Sequence, residues 1–534
     1  MLGAAWAALA ASAALCAVLA RAEPRPHRDV PSSQGVVRGY LTPQPPHFAY
    51  YGLPYASPPT RAARFKDPTP PPKWDGIFEA THEVKCPQLN ADGEENCLVV
   101  NVFTPEDATS LPVLVLVHDG YYQSGWGAYQ PPNGLIEEGF VIVTFNYRLG
   151  ALGFLCLRIP EAPGNAGLKD QIAMLYWVHM NIAEFGGNPR DVTVYGTGAG
   201  AEAVQLLLMS GLEQGLLHKV ILESGSVLSP ISMAYDPLTV AYNGATSLGY
   251  DGSTEPEELY NFYVQASADD LSRITEMFLP CVENSSDSIH NIIDMDPLTK
   301  LKDGRFHNVP MLITFTEKEI VSVIQEMEKF QNPPAIFEFL LPNNLEFDDH
   351  KTKHRVGEII KQFYFSKDFT RANMAQSYAD YIYDILTAYP IIKMAMVFAD
   401  KNSYPVYVMK FNLTKTIVTL EGSLTGNFDT LLDYFYKDEE HTEIVLEKLM
   451  VLLRNFIRIG DPTPLTSTLI PLIWQPLQKP LYIAEVPLLQ FDDTVKIIVP
   501  PNHQRLLFLE NIYTRFYKPL AQVQQDAEGS GEDQ

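Results

Sequence analysis

Apolar residues fall along this chain in short, dense runs separated by stretches with helical spacing. Val113–Val117, Phe140–Phe145, Val192–Tyr195, Val220–Leu222, Met311–Phe315 and Tyr404–Phe411 are rich in β-branched and aromatic residues, as strands covered on both faces are. Helical patterns occupy Leu168–Phe185, Ala199–Met209, Val356–Phe363, Phe369–Phe398, Thr442–Ile457 and Gln504–Phe516. Strands alternating with helices imply an α/β fold, a large and mostly parallel central sheet flanked by helices. The Pro-rich stretch before about residue 80 reads as strap-like loops and short strands. No internal repeat is visible.

Composition adds a compartment and excludes some partners. The chain has 534 residues, 46% of them hydrophobic and 19% charged, which suits a large buried core. Its net charge of −25 repels a phosphate backbone, so nucleic acid is not an expected partner. An Ala/Leu run from Leu2 to Leu19, followed by Ala20-Arg21-Ala22, predicts a signal peptide over residues 1–22 and a secreted, extracellular product. A single domain is then expected over 23–525, with a disordered acidic tail at 526–534. No second apolar run reaches the roughly 18 residues that span a bilayer, so no transmembrane anchor is expected once the signal is removed.

Export also permits disulfides and glycans. Cys86 and Cys97 bracket the short stretch KCPQLNADGEENC and are expected to pair. Cys156 and Cys281 sit among apolar neighbours, far apart in sequence, and read as buried free thiols. Asn284-Ser-Ser and Asn412-Leu-Thr match the N-glycosylation acceptor pattern.

The most informative segment is DVTVYGTGAGAEAVQLLL. A strand runs into Gly196-Thr197-Gly198-Ala199-Gly200 and then a helix, the setting of a G-x-S-x-G nucleophile elbow. Glycine stands at the serine position, so the turn can persist without its hydroxyl. Thr197 projects elsewhere and is a poor surrogate. Gly196-x-Gly198-x-x-Ala201 also fits a dinucleotide fingerprint, with Glu223 where a ribose-binding acid would stand.

The flanking blocks favour the first reading. Arg64-Phe65, ENCLVVNVF, FNYRLGALGFL, GNAGLKDQ, EFGGNPRDVTVYG and GLLHKVILESGS occur in order and resemble the type-B carboxylesterase and cholinesterase family, nearest its insect esterase branch. The resemblance covers roughly residues 30–520 and implies one α/β-hydrolase domain with an active-site gorge and no cofactor. It also implies a triad at Gly198, Glu319 and Thr425, of which only Glu319 keeps the family's residue type. No histidine occurs between His354 and His441 that could take the base's place. The family's oxyanion turn, His-Gly-Gly-Gly, reads His118-Asp119-Gly120-Tyr121 here. The oxyanion positions are then Gly120, Tyr121 and Ala199, and Tyr121 is expected to restrict the backbone and place its ring where a substrate oxygen would rest.

Loss of a nucleophile or base in a serine hydrolase costs about 10⁶ in turnover, and loss of one oxyanion donor about 10² to 10³. The expected product is therefore a secreted pseudoenzyme kept to bind an apolar small molecule or an extracellular protein; family members lacking the triad include cell-adhesion proteins. An ester hydrolase with a non-standard nucleophile is the alternative, and a dinucleotide-binding oxidoreductase the third reading. Glu202, Ala203 and Gln205 stand where the family has small, hydroxyl or imidazole side chains, and the Tyr121-Tyr122 pair reads as a plug for a redundant gorge. His350 and His354, four apart behind Asp348 and Asp349, read as a solvated helix start in preference to a metal site, and Asp438-Glu439-Glu440 likewise.

Overall fold

The computed structural model describes residues 25–520 except 59, 90–91, 129–132, 212–214, 284–290, 317–336, 366–370, 412–442, 480–481 and 493. The signal and tail regions, Asn284, Asn412, Glu319, Thr425 and the run 438–440 lie outside the described residues.

One continuous sheet organises the chain. Seven strands form its parallel centre, in the order β7 (Val141–Phe145), β6 (Leu111–Val117), β8 (Gly187–Thr197), β9 (Lys219–Glu223), β10 (Met311–Thr316), β11 (Val406–Phe411) and β12 (Leu488–Phe491). Antiparallel strands complete both edges. On one side lie β5 (Val99–Pro105), β3 (Pro46–Pro54), β2 (Val36–Pro43) and β1 (His27–Pro31), with β4 (Ile77–Glu79) paired in parallel to β2, and on the other lies β13 (Val495–Ile498). Every residue of β7, β9, β10 and β11 is buried, Lys219, Glu223 and Lys410 included, which is why these segments are dominated by apolar residues. The N-terminal stretch carries the expected strands, two of them longer than foreseen: β2 and β3 have 8 and 9 residues. Its prolines stand at strand ends, where no ladder N–H is required.

Helices cover both faces. α1 (Ala166–Asn181) and α2 (Ala199–Met209) are largely buried. α3 (His350–Tyr364) begins at Asp349, whose side chain accepts from Thr352 N at 2.7 Å, so this segment is the helix start its charges suggested. α4 (Arg371–Tyr383) passes through a π-turn at Asp384–Ala388 into α5 (Tyr389–Lys401). From Met374 to Lys401 this continuous helix is long and apolar enough to cross a membrane by length and composition, contrary to the sequence expectation. Of its most apolar window, 78% is buried inside the fold, as befits a core helix. α6 (Glu443–Ile459) and α7 (His503–Phe516) complete the predicted set.

The quoted sequence blocks meet in a buried polar lattice. Arg148 forms a two-pronged pair with Asp170 (2.6 and 2.7 Å) and donates to Arg64 O, while Arg64 pairs with Glu95. Asn165 Nδ2 donates to Glu283 at 2.6 Å, and Lys169 lies 3.5 Å from the same carboxylate. These residues bind loops to the sheet edge and are scaffold.

Cys86 and Cys97 are joined as expected. Cys156 and Cys281 are also joined, which corrects the reading of free thiols. Their apolar surroundings and a separation of 125 residues hide a contact made only when the loop after Cys156 folds back past Gly164, whose ideal Cβ would lie 2.5 Å from Cys281 Sγ.

Candidate functional site

Register brings the two critical loops together. Parallel pairing sets Val117 of β6 opposite Gly196 of β8, so His118–Tyr122 and Thr197–Ala199 leave the sheet side by side. Gly198 has φ +51° and ψ −120°, a conformation that L-residues rarely adopt, and its N–H donates to Glu223 O at 2.8 Å. The sharp strand-turn-helix geometry is therefore present. Its neighbours keep it tight: a Cβ on Gly196 would lie 2.3 Å from Gly200 O, and one on Gly200 would lie 2.3 Å from Val117 O.

The space above the turn belongs to Asp119. A Cβ on Gly198 would fall 2.3 Å from Asp119 Cγ and Oδ2 and 2.4 Å from Oδ1. Ala199 N–H donates to Oδ1 at 2.9 Å, and Tyr121 N–H reaches the same atom at 3.4 Å. Backbone donors from both loops thus converge on one oxygen, and that oxygen is the chain's own. This corrects two expectations. Tyr121 does not destroy the turn: it accepts φ +53° after Gly120 at φ +123°, and its ring is 39% exposed. A carboxylate, not a phenol ring, fills the space. The glycine that became Asp119 supplied the one sequence signal, since aspartate is short enough to fold back on neighbouring N–H groups.

The tyrosine pair divides its roles. Tyr122 is wholly buried at φ +61°, with its ring 4.8 Å from that of Phe154 and its carbonyl accepting from Gly150 N, so of the pair it alone packs into the core. Tyr147 stacks on His118 at 4.4 Å and donates to His118 O. The His118 ring donates through Nδ1 to Asp119 O at 2.8 Å, and burial lowers its pKa to about 4, so it is neutral.

A second acid stands one helical turn on. Glu202, 8% exposed, has its N–H on Gly198 O, and sequence reasoning marked it only as a changed neighbour. Burial, then the nearby Asp119 charge, raise its pKa well above the ordinary carboxylate range. The Tyr122 hydroxyl, directed at the acid, opposes this in part. Burial likewise raises the pKa of Asp119, against the donors of Ala199, Gly120 and Tyr121. Gln205 is structural: it donates to Ala201 O and Gly225 O and accepts from Val227 N.

Other candidates resolve differently. Glu223 is buried and accepts from the Tyr195 hydroxyl within the sheet. Thr197 is the last strand residue, opposite Glu223 in the ladder. Ala199 N–H, where a pyrophosphate would rest, is taken by Asp119. His350 and His354 both turn to Glu338, at 3.4 and 2.6 Å, a partner invisible at sequence level. Among the described residues no group of three His, Cys, Asp or Glu side chains is arranged to hold a metal ion.

The model of the carboxylesterase family matches residues 26–494. The chain belongs to the carboxylesterase family. Within it, juvenile hormone esterase of Heliothis virescens is 30% identical over 474 residues, covering 78% of this chain and 82% of that protein. Mouse neuroligin-3 is 32% identical over 374 residues, 58% of this chain and 44% of the other. A solved structure of juvenile hormone esterase from Manduca sexta, with OTFP covalently attached, superposes with a TM-score of 0.76 at 24% identity, covering 92% of this chain and all of that one. The fold is thus the α/β-hydrolase fold of the carboxylesterase family, large and mostly parallel at its centre.

Proposed function

We propose that this member of the carboxylesterase family is a secreted pseudoenzyme that binds without splitting esters. The observation that carries this reading is the Asp119 carboxylate, lodged where the Gly198 Cβ would be and holding the Ala199 N–H. An oxyanion generated during ester attack needs unoccupied donors about 2.7–3.1 Å away. Here those donors already serve an acid, and Gly198 offers no hydroxyl. Secretion is supported by the apolar segment at residues 1–22 and by two disulfides, which persist in oxidising compartments. Glycans on Asn284 and Asn412 belong to the same proposal, as do Glu319 and Thr425 as relics of a triad.

The test is turnover of p-nitrophenyl acetate by the purified chain. The expected result is a rate indistinguishable from buffer with an equal mass of an unrelated acidic protein. Saturable hydrolysis that copurifies with the chain overturns the proposal.

A further inference from the structure

Apart from the pit that Asp119 fills above Gly198, the structure holds a cleft of about 140 Å³. Its apolar walls are Leu149 and Leu152, around the short helix Gly150–Phe154, and Leu271 and Ile274, around the end of the short helix Ala268–Ser272. Leu89, just past the disulfide at Cys86, is exposed and marks the mouth together with Thr275. No charged side chain lines the cleft. Such walls suit a neutral molecule, because an ion would lose its water there and gain no counter-charge.

One polar group in the wall is fixed in orientation yet unused. The Gln123 amide donates through Nε2 to Tyr121 O at 3.0 Å and to Phe278 O at 2.8 Å. Both partners are carbonyl oxygens, so the amide cannot turn round and both of its donors are spent. Gln123 Oε1 accepts no hydrogen bond among the described residues. It stands over Gly150, where an ideal Cβ would lie 3.6 Å from Oε1 and meet no other neighbour within 4 Å. Glycine at this point leaves that space free of a side chain. Gln88, the other amide in the wall, is fully used: it donates to Cys86 O and Gly125 O and accepts from Gly125 N. The cleft thus presents a positioned acceptor on apolar walls. Its size is that of a single ring, since an apolar cavity of about 150 Å³ takes up benzene.

We propose that this cleft binds a neutral, ring-sized alcohol, a monocyclic phenol, whose hydroxyl donates to Gln123 Oε1. The proposal rests on the reading of the chain as a binder and gives that reading a class of ligand. The ring displaces water from Leu149, Leu152, Leu271 and Ile274, and its O–H supplies the partner that Oε1 lacks. A ring without a donor fits the same walls but covers Oε1 and leaves it unpaired.

The experiment is calorimetric titration of the full chain at neutral pH with phenol and with anisole, which carries the same ring and no donor. The expected result is saturable 1:1 binding of phenol. Gln123→Met keeps the reach of the side chain and removes the acceptor, so it should weaken phenol about three- to tenfold and change anisole by less than about twofold. A flat titration with phenol, or equal loss of both ligands in the variant, overturns the proposal. A crystal of the unaltered chain soaked in phenol gives a reading that does not depend on the variant folding. The ring is expected between Leu149 and Ile274, with its oxygen about 2.5–3.0 Å from Gln123 Oε1. A ring seated elsewhere, or none, overturns the proposal. p-Nitrophenyl acetate turnover is measured on the titrated sample. Hydrolysis there counts against the proposed function, whereas a flat titration with no hydrolysis counts against the phenol site alone.

Discussion

Replacing Gly198 with serine restores the atom the turn lacks, and the structure predicts that the fold resists it. The backbone at φ +51° and ψ −120° imposes strain of about 1–3 kcal/mol on any residue with a Cβ. That Cβ would also stand 2.3 Å from the Asp119 carboxyl carbon, so the acid must swing away and forfeit its bond from Ala199 N. A charge-assisted hydrogen bond of this kind contributes about 1.5–3 kcal/mol, so Gly198→Ser should cost about 2.5–6 kcal/mol. Asp119→Ala removes the same bond and should cost about 1.5–3 kcal/mol. In the double variant the bond can be lost only once, so its cost should fall short of the sum by about 1.5–3 kcal/mol. Urea unfolding of the four proteins measures this coupling. Additivity within about 0.5 kcal/mol would show that Asp119 does not occupy the space above Gly198. All three variants should remain without esterase activity.

Further predictions concern the scaffold. Arg148→Met leaves Asp170, fully buried, without its partner and should destabilise by about 3–5 kcal/mol in chemical unfolding. Loop-closure entropy makes the Cys156–Cys281 bridge, spanning 125 residues, worth about 5 kcal/mol and the Cys86–Cys97 bridge, spanning 11, about 3 kcal/mol, so alanine replacements should rank in that order. Non-reducing peptide mapping should recover both linked pairs; alkylation of Cys156 or Cys281 without reduction would contradict the longer one. Burial raises Glu283 from 4.5 to about 7, against the pull of Lys169, and raises Asp384 from 3.8 to about 6. Both then bind more protons folded than unfolded, so stability should fall as pH rises from about 4 to 7, with Glu283 contributing about 3 kcal/mol of the change. Glu283→Gln should flatten that slope, and urea midpoints that rise across the interval would contradict it.

The strands of the parallel centre were legible because a doubly covered strand needs apolar residues on both faces, as in VIVTF and MLITFT. The turn was legible for a similar reason: glycines 196, 198 and 200 mark a backbone too crowded or too strained for side chains. Asp119 was legible only as a missing glycine. Its meeting with Gly198 depends on the pairing of β6 with β8 across 80 residues, which local pattern does not encode. The same limit hid the Cys156–Cys281 bridge and the contact of His350 and His354 with Glu338. In the N-terminal stretch, prolines suggested straps, yet they stand at the ends of β2 and β3 and leave their ladders intact.

Silence at Gly198 is tested most directly by intact-mass analysis of the purified chain after prolonged incubation with a fluorophosphonate, with an active carboxylesterase beside it as positive control. The account predicts an unchanged mass for this chain while the control is fully modified. A stoichiometric phosphonyl adduct on any residue of the pit would contradict it.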